Sequence, residues 1–168
     1  EDWGLERFRV EVEQRMGAPL RSAGLDQRSA THNDHLGVLR QKQDALNCVG
    51  LHVPVGRITT DQLLQVAALA EQYGTGEVRL TTSQNVIIPH VPDQKLPDLT
   101  AEPLVRHELK YNPTPVMRGL VACVGIDYCD LATIETKGWA LKIAQEIDAR
   151  VGDEVKEPIT IHWSGCPA

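Results

Sequence analysis

The stretch "ALNCVGLHVPVGRITTDQLL" (residues 45–64) decides the fold, because a β-prone run passes directly into the start of a helix. Residues 45–53 are apolar and predict a buried strand, which "PVGR" closes. Thr59 and Gln62 then form the spacing of a capping box, in which each residue satisfies a backbone N–H of the other. The stretch therefore predicts a strand followed at once by a helix.

The elements that follow this helix extend the same unit. Gly74 is a natural C-terminal stop, and the predicted buried face of the helix comprises Leu63, Val66, Ala67, Ala70 and Tyr73. Two strands come next, "EVRLT" (77–81) and "NVIIPHV" (85–91), separated by "TSQ". This strand–helix–strand–strand order predicts an α/β (α+β) fold with the helix packed on a mixed sheet.

The N-terminal segment predicts a separate amphipathic helix over residues 5–16. Its apolar face would comprise Leu5, Phe8, Val12 and Met16, and Asp2 is placed to cap it. The run "GAPLRSAG" (17–24) then breaks the helix, and residues to about 35 read as a polar connection.

A proline-punctuated stretch, residues 95–119, separates the first unit from the last third of the chain, with a predicted boundary near Asn112. Beyond it come an apolar segment (119–126), a long helix from about Leu131 and the strand "PITIHW" (158–163). The apolar face of that helix would comprise Ala140, Ile143, Ala144, Ile147 and Val151. The predicted divisions are therefore residues 1–44, 45–112 and 113–168.

Composition excludes several classes of protein. The net charge of −6, with scattered basic residues, argues against a nucleic-acid binder, which needs clustered Lys and Arg. No window approaches eighteen apolar residues, so no membrane span is expected. The acidic N-terminus is unlike a signal or transit peptide. Four cysteines are too few for a disulfide scaffold.

Three of those cysteines are candidates for a metal site. Five residues separate Cys123 from Cys129, and thirty-six residues separate Cys129 from Cys166. Each cysteine lies at the edge of a predicted element. A helix N-terminus after Cys129 would stabilise the negative charge of an iron–sulfur cluster, and Gly125 and Gly165 would allow close approach to it. The spacing fits small buried cysteines equally well and a structural zinc less well. Spacing alone leaves the choice open.

The segments "CVGIDYC" (123–129) and "HWSGCPA" (162–168) resemble the cluster motif of the siroheme-dependent nitrite and sulfite reductases. That family arranges four cysteines as C-x₅-C, a long gap and C-x₃-C. The three cysteines here match the first three, and the fourth would fall two places past Ala168. "GLHVPVGRIT" (50–59), "AALAEQYGTGEVRLTTSQN" (67–85) and "IETKGWALKIAQEI" (134–147) add to the resemblance. It implies a ferredoxin-like half-domain at 45–112, followed by part of a siroheme and iron–sulfur domain at 113–168.

Within this family, "Gln-Lys-Gln" at residues 41–43 is more similar to the ferredoxin-dependent nitrite reductases than to the sulfite reductases. The resemblance then implies six-electron reduction of nitrite to ammonia, with electrons passing from ferredoxin through a [4Fe–4S] cluster to siroheme. A sulfite reductase and a non-catalytic iron–sulfur module are the alternatives. We expect residues 1–168 alone to be inactive.

The resemblance also assigns residues. Cys123, Cys129 and Cys166 become cluster ligands, and no catalytic residue is expected in this chain. Gln84 and Asn85 occupy a strand–turn motif whose counterpart in the first half of the family faces siroheme. They are candidates for cofactor contact, although ordinary turn residues fit them equally well. Arg79, on the preceding strand, fits a structural ion pair.

Other polar candidates are expected to be structural, and the partners follow from the resemblance. Cys48 is expected to pack in the core and Lys137 to be solvated, His162 fits a structural strand position, and His32 and His35 lie in a polar loop. An acidic ferredoxin requires a basic docking surface. Because this chain is net acidic, we expect much of that surface to lie elsewhere or to be only a local patch. The resemblance fits a monomer, in a bacterial cytoplasm or a plastid.

Overall fold

The computed structural model describes residues 3–21, 24, 34–152 and 154–167, which fall into two compact units, 1–32 and 33–168. In the first unit, helix α1 spans Gly4–Met16 and follows Trp3, which makes no side-chain cap. The predicted cap, Asp2, lies outside the described residues. Leu5, Phe8 and Met16 are exposed and Val12 is half-buried, so no residue of the predicted apolar face is fully buried.

The second unit begins with a four-stranded sheet. Its strands are β1 (Gly37–Arg40), β2 (Leu46–Leu51), β3 (Arg79–Leu80) and β4 (Val86–Pro92), in the order β1-β2-β4-β3. Every neighbouring pair is antiparallel, so the predicted mixed sheet is wrong. The helical crossover does leave β2 and β3 parallel to each other, but β4 lies between them.

Strand β1 is absent from the sequence prediction, which treats residues up to 44 as connection. β1 is only four residues long, and its side chains alternate between half-buried and exposed. Its hydrophobic alternation is therefore too short to distinguish it from the polar residues that follow. The predicted division between residues 44 and 45 falls inside the hairpin that joins β1 to β2. The sheet therefore begins at Gly37.

Helix α2 (Thr60–Tyr73) has the predicted start and end. The Thr59 hydroxyl accepts from the Gln62 backbone N–H at 3.2 Å, and the Thr59 N–H donates to Gln62 Oε1 at 3.0 Å, which confirms the capping box. Gly74 follows the helix and donates to the Ala70 carbonyl at 3.0 Å. The buried face of α2 comprises Val66, Leu69, Ala70 and Tyr73. Leu63 and Ala67, which the sequence predicts on this face, are exposed.

The larger of two hydrophobic cores lies between α2 and the sheet. Helix α3 (Leu96–Ala101) and a turn of π-helix (Leu104–Glu108) close one side of it. Its fully buried side chains include Val49, Leu51, Val66, Ile88, Leu99 and Val105. The burial of these apolar side chains is the main source of stability in this region.

The last third contains helix α4 (Pro115–Arg118), strands β5 (Leu120–Ala122) and β6 (Ile161–Trp163), and helix α5 (Lys137–Val151). Strands β5 and β6 pair in parallel, with Leu120 opposite Ile161. The smaller core packs Ala140 and Ala144 of α5 against Val116, Leu120 and Ala122. None of the helices described is long and apolar enough to cross a membrane.

Helix α5 begins six residues later than predicted. The Glu135 carboxylate accepts from the Gly138 N–H at 2.8 Å and the Trp139 N–H at 3.2 Å, so it satisfies two donors of the first turn. Upstream, Thr133 N–H donates to the Gly165 carbonyl at 2.8 Å. That long-range bond holds the residues before α5 out of the helix.

Candidate functional site

The three candidate cysteines lie on the connections around β5, β6 and α5. Cys123 directly follows β5, Cys129 follows a 3₁₀ turn at Gly125–Asp127, and Cys166 follows β6 by a Ser-Gly turn. All three are partly exposed and unpaired by disulfides. Because α5 starts at Lys137, Cys129 does not precede a helix N-terminus, and that part of the sequence argument is wrong.

Backbone hydrogen bonds join the three cysteine-bearing segments. The Cys123 N–H donates to the Trp163 carbonyl at 3.0 Å, continuing the β5–β6 pairing. The Cys129 N–H donates to the Gly125 carbonyl at 3.0 Å, and the Ile126 N–H to the Ile134 carbonyl at 3.1 Å. The segments around residues 123–129, 132–136 and 163–166 therefore form one local structure.

The Cys123 sulfur has the most polar surroundings of the three. The Gly165 N–H donates to Cys123 Sγ at 3.3 Å. The Gly125 N–H, followed by that of Gly165, lowers the pKa of the Cys123 thiol. Both donors favour the thiolate, which is the form that binds metals.

A buried threonine accounts for the glycines of this segment. Thr136 has no exposed surface, and its hydroxyl donates to the Cys123 carbonyl at 2.6 Å. Gly125 has a φ of +64°, and a Cβ there would lie 2.6 Å from Thr136 Oγ1. A Cβ at Gly165 would lie 3.0 Å from Thr136 Cγ2. Both glycines therefore permit close packing against Thr136, a residue that the sequence prediction missed.

Lys137 is buried, contrary to the expectation of a solvated side chain. It is 8% exposed, and its Nζ donates to the Val55 carbonyl and, at 3.2 Å, to the Ala122 carbonyl. Burial lowers the pKa of Lys137. Helical spacing could have predicted this burial. Lys137 lies three residues before Ala140, which puts both residues on the face that α5 buries.

Gln84 donates to the same carbonyl, that of Ala122, as Lys137 does, and it lines an adjacent cleft. Its Nε2 donates to the Ala122 carbonyl at 2.8 Å, so Gln84 and Lys137 both hold the strand end that precedes Cys123. The Gln84 Oε1 atom is buried without a partner. The cleft has a volume of about 660 Å³, and its lining includes Gly56, Gln84, Tyr128 and Lys137.

Asn85 lies beside Gln84 and has a different environment. It is 4% exposed, and its Oδ1 accepts from the Val53 N–H at 2.9 Å. Its own N–H donates to the Thr81 hydroxyl at 3.0 Å, closing the turn between β3 and β4. Asn85 therefore shapes the loop that presents Gln84, and its assignment to cofactor contact stays a prediction.

Arg57 links the sheet-containing part of the second unit to the segment around Cys129. Its guanidinium lies 2.9 Å from Asp127 and 3.4 Å from Glu135, on either side of Cys129 in the sequence. All three side chains are substantially exposed, so these ion pairs contribute little to stability. Their effect is to orient the edge of the cleft.

The remaining candidates lie elsewhere in the unit. Cys48 is only half-buried, contrary to the expectation of core packing, because a β-bulge interrupts the register between Asn47 and Val49. Burial still raises the pKa of its thiol. Arg79 pairs with Glu77 at 2.6 Å, which confirms its interpretation as an ion pair. His35 and His162 are exposed, and His32 lies outside the described residues.

Over the described ranges, no group of three or more His, Cys, Asp and Glu side chains is placed to hold a metal ion. The assignment of Cys123, Cys129 and Cys166 as ligands of one cluster therefore stays a prediction. The chemistry of the residues present does fit such a group, because Cys123 receives N–H donors that stabilise a thiolate.

The four-stranded sheet with its packed helices has the fold of a ferredoxin-like half-domain of the kind found in nitrite and sulfite reductases. Residues 39–105 match the family model of the nitrite/sulfite reductase ferredoxin-like half domain. The chain belongs to the nitrite/sulfite reductase family.

Similar proteins extend over the whole chain. The ferredoxin–nitrite reductase of Synechococcus elongatus is 50% identical over 167 residues, which cover 99% of this chain and 32% of that protein. The chloroplastic ferredoxin–nitrite reductase of Zea mays is 46% identical, covering 99% and 30%. The structure of the Mycobacterium tuberculosis NirA protein aligns with a TM-score of 0.88 at 34% identity, covering 99% of this chain and 31% of that one. This chain thus spans about a third of these proteins.

Proposed function

We propose that this chain is part of an assimilatory ferredoxin-dependent nitrite reductase, which reduces nitrite to ammonia with six electrons from ferredoxin. The observation that carries the proposal is the 50% identity to a ferredoxin–nitrite reductase across 99% of the chain. Residues 45–112 would form the half-domain and residues 113–168 part of the siroheme and iron–sulfur domain.

The three cysteines are the proposed ligands of a [4Fe–4S] cluster. Thiolates are the usual ligands of such clusters, and hydrogen bonds to the sulfur tune their potential. The N–H groups of Gly125 and Gly165 supply such bonds at Cys123. When bound, the cluster supplies one-electron transfer, and siroheme supplies the iron centre for nitrite reduction.

The other residues of the site position this segment. Thr136 and Lys137 fix the backbone on both sides of Cys123 by binding its carbonyl and that of Ala122. Gln84 lines the cleft next to them with an unpartnered amide oxygen, and it is our candidate for contact with siroheme. Asn85 would support that contact by holding the turn. The chain contributes no proposed catalytic residue.

The partners and setting follow from the same proposal. Ferredoxin would be the electron donor and nitrite the substrate, and the full-length enzyme would act as a monomer. The chain carries a net charge of −6, so the basic surface that an acidic donor requires would lie mainly outside it. We place the enzyme in a bacterial cytoplasm or, in a plant, in the plastid, as the name of the Zea mays relative indicates for that protein.

The direct test is turnover by the purified full-length protein with reduced ferredoxin, comparing ammonium formed from nitrite with sulfide formed from sulfite. We expect nitrite to be the much faster substrate. Faster reduction of sulfite would make the protein a sulfite reductase. A protein that contains the cluster but turns over neither anion would be an electron-transfer module.

A further inference from the structure

A buried ammonium group lies beside the segment that leads into Cys123. Lys137, the first residue of α5, is only 8% exposed. Its Nζ donates to the Val55 carbonyl and, at 3.2 Å, to the carbonyl of Ala122, the residue before Cys123. The neighbouring Thr136 hydroxyl donates to the Cys123 carbonyl at 2.6 Å. These bonds fix the lysine charge next to the peptide group that joins Ala122 to Cys123.

The charge of Lys137 is not balanced by a carboxylate within the part of the chain that the structure describes. Its two acceptors are neutral carbonyls, and none of the ion pairs formed there includes it. A buried ammonium without a counter-charge is costly, because it has lost much of its hydration. Burial lowers the pKa of Lys137 and the charge of Arg57 lowers it further, whereas Cys123 raises it. Negative charge at Cys123 would therefore offset this cost.

Arg57, the other cation near this segment, differs from Lys137 in both respects. Its guanidinium lies 2.9 Å from Asp127 and 3.4 Å from Glu135, so two carboxylates balance its charge. All three of these side chains are partly exposed, and water and salt screen charges at such positions. Lys137 combines burial with an unbalanced charge, and its field is screened less.

The Cys123 thiol responds to this field. The Gly125 N–H, followed by that of Gly165, lowers the pKa of the thiol, and the charge of Lys137 lowers it further. A positive charge stabilises the more negative of two states of any neighbouring group, and it does so most strongly where little water intervenes. A group bound at the Cys123 sulfur would lie in the same field.

We propose that the buried charge of Lys137 sets the reduction potential of the iron–sulfur cluster held by Cys123, making it more positive. The inference rests on the proposed function, which assigns Cys123 as a cluster ligand. One-electron reduction moves an electron from reduced ferredoxin to the cluster, adds one negative charge there and breaks no bond in the protein. The ammonium stabilises that added charge. Lys137 acts through the cluster and touches no substrate, so it is a positioning residue.

The test is a redox titration of the full-length protein, followed by the electron paramagnetic resonance signal of the reduced cluster. Lys137→Met keeps much of the length of the side chain and removes its charge. It should lower the midpoint potential by about 59 mV, which corresponds to a tenfold change in the one-electron equilibrium. Lys142→Met removes an exposed charge from the same helix and should leave the potential unchanged. Equal potentials in the wild-type protein and Lys137→Met would overturn the inference.

The direction of the shift separates an effect of charge from a loss of structure. Water that enters a loosened site stabilises the more negative reduced state and would raise the potential of Lys137→Met, which contradicts the inference. Lys137→Arg restores the charge and should recover the wild-type potential. A potential as low in Lys137→Arg as in Lys137→Met would also overturn the inference. Wild-type protein that contains no iron or acid-labile sulfide would overturn the cluster assignment itself, whereas an unchanged potential in a cluster-containing protein overturns only the role of Lys137.

Discussion

The sheet region (residues 37–109) and the cysteine region (residues 113–167) are held together in different ways. Among the described residues, the core of the sheet region comprises fourteen buried side chains, whereas the smaller core comprises five from the cysteine region and Val55 from the sheet region. The cysteine region depends instead on backbone hydrogen bonds between loops and on the buried Thr136 and Lys137. The first region is built on apolar burial, and the second on polar contacts that place particular atoms.

The largest effect should come from a cysteine of the second region. Cys129→Ser in the full-length protein should abolish the cluster, because serine is a poor replacement for a thiolate ligand of iron. Cys48→Ser, in the sheet region, should leave the cluster in place. Iron and acid-labile sulfide per chain measure both outcomes. Equal loss in the two variants would overturn the ligand assignment.

The apolar sheet region should respond most to loss of volume. Ile88 is fully buried, and Ile88→Ala should lower the free energy of unfolding by about 3–4 kcal/mol through lost burial and the cavity left behind. Urea denaturation of this chain followed by circular dichroism measures the change. Ile87→Ala is the matched control, because Ile87 lies on the opposite, half-exposed face of β4 and should cost far less. Similar losses would mean that the core is not where the comparison places it.

His52, which directly follows β2 in the sheet region, should make stability depend on pH. The folded-state pKa of about 4 lies below the ordinary value of 6.5, so the unfolded chain binds the proton first as the pH falls. The free energy of unfolding should therefore drop by about 3 kcal/mol between pH 6.5 and pH 4 through this residue. His52→Gln should flatten the slope, measured by urea denaturation at several pH values, and His162→Gln at an exposed site should not. An unchanged slope in His52→Gln would contradict burial of a neutral ring.

Lys137 joins the two regions and should give a smaller effect. Lys137→Met would remove the donors to the Val55 and Ala122 carbonyls and should cost about 2 kcal/mol in the free energy of unfolding. Lys142→Met is the control, because Lys142 is exposed on the same helix and lies over the Trp139 ring at 5.3 Å. If both variants lose the same stability, the carbonyl contacts do not hold the junction.

The same contrast explains how much of the molecule the sequence predicts. In the sheet region, local signals agree with the structure: Thr59 and Gln62 start α2, Gly74 ends it, and the runs around β2 and β4 form strands. The errors there include β1, which is too short to show a pattern, and Cys48, which a bulge moves out of the core. The strand directions are a further error, because the sheet is antiparallel throughout. Local periodicity works where apolar burial decides the structure.

In the cysteine region, long-range bonds override the local pattern. The hydrogen bond from Thr133 to Gly165 joins residues thirty-two positions apart and delays the start of α5 to Lys137. No local rule predicts that Lys137 donates to Val55 or that Thr136 packs against Gly125 and Gly165. The spacing of the three cysteines nevertheless selects the segments that the fold brings together, although their role as ligands stays a prediction.

The most direct test of the central claim is a visible absorption spectrum of the purified full-length protein, recorded before and after nitrite is added. If the chain is part of a nitrite reductase whose cluster is held by Cys123, Cys129 and Cys166, we expect a siroheme Soret band that shifts with nitrite. A broad iron–sulfur absorption without the Soret band, or a colourless protein, would contradict it.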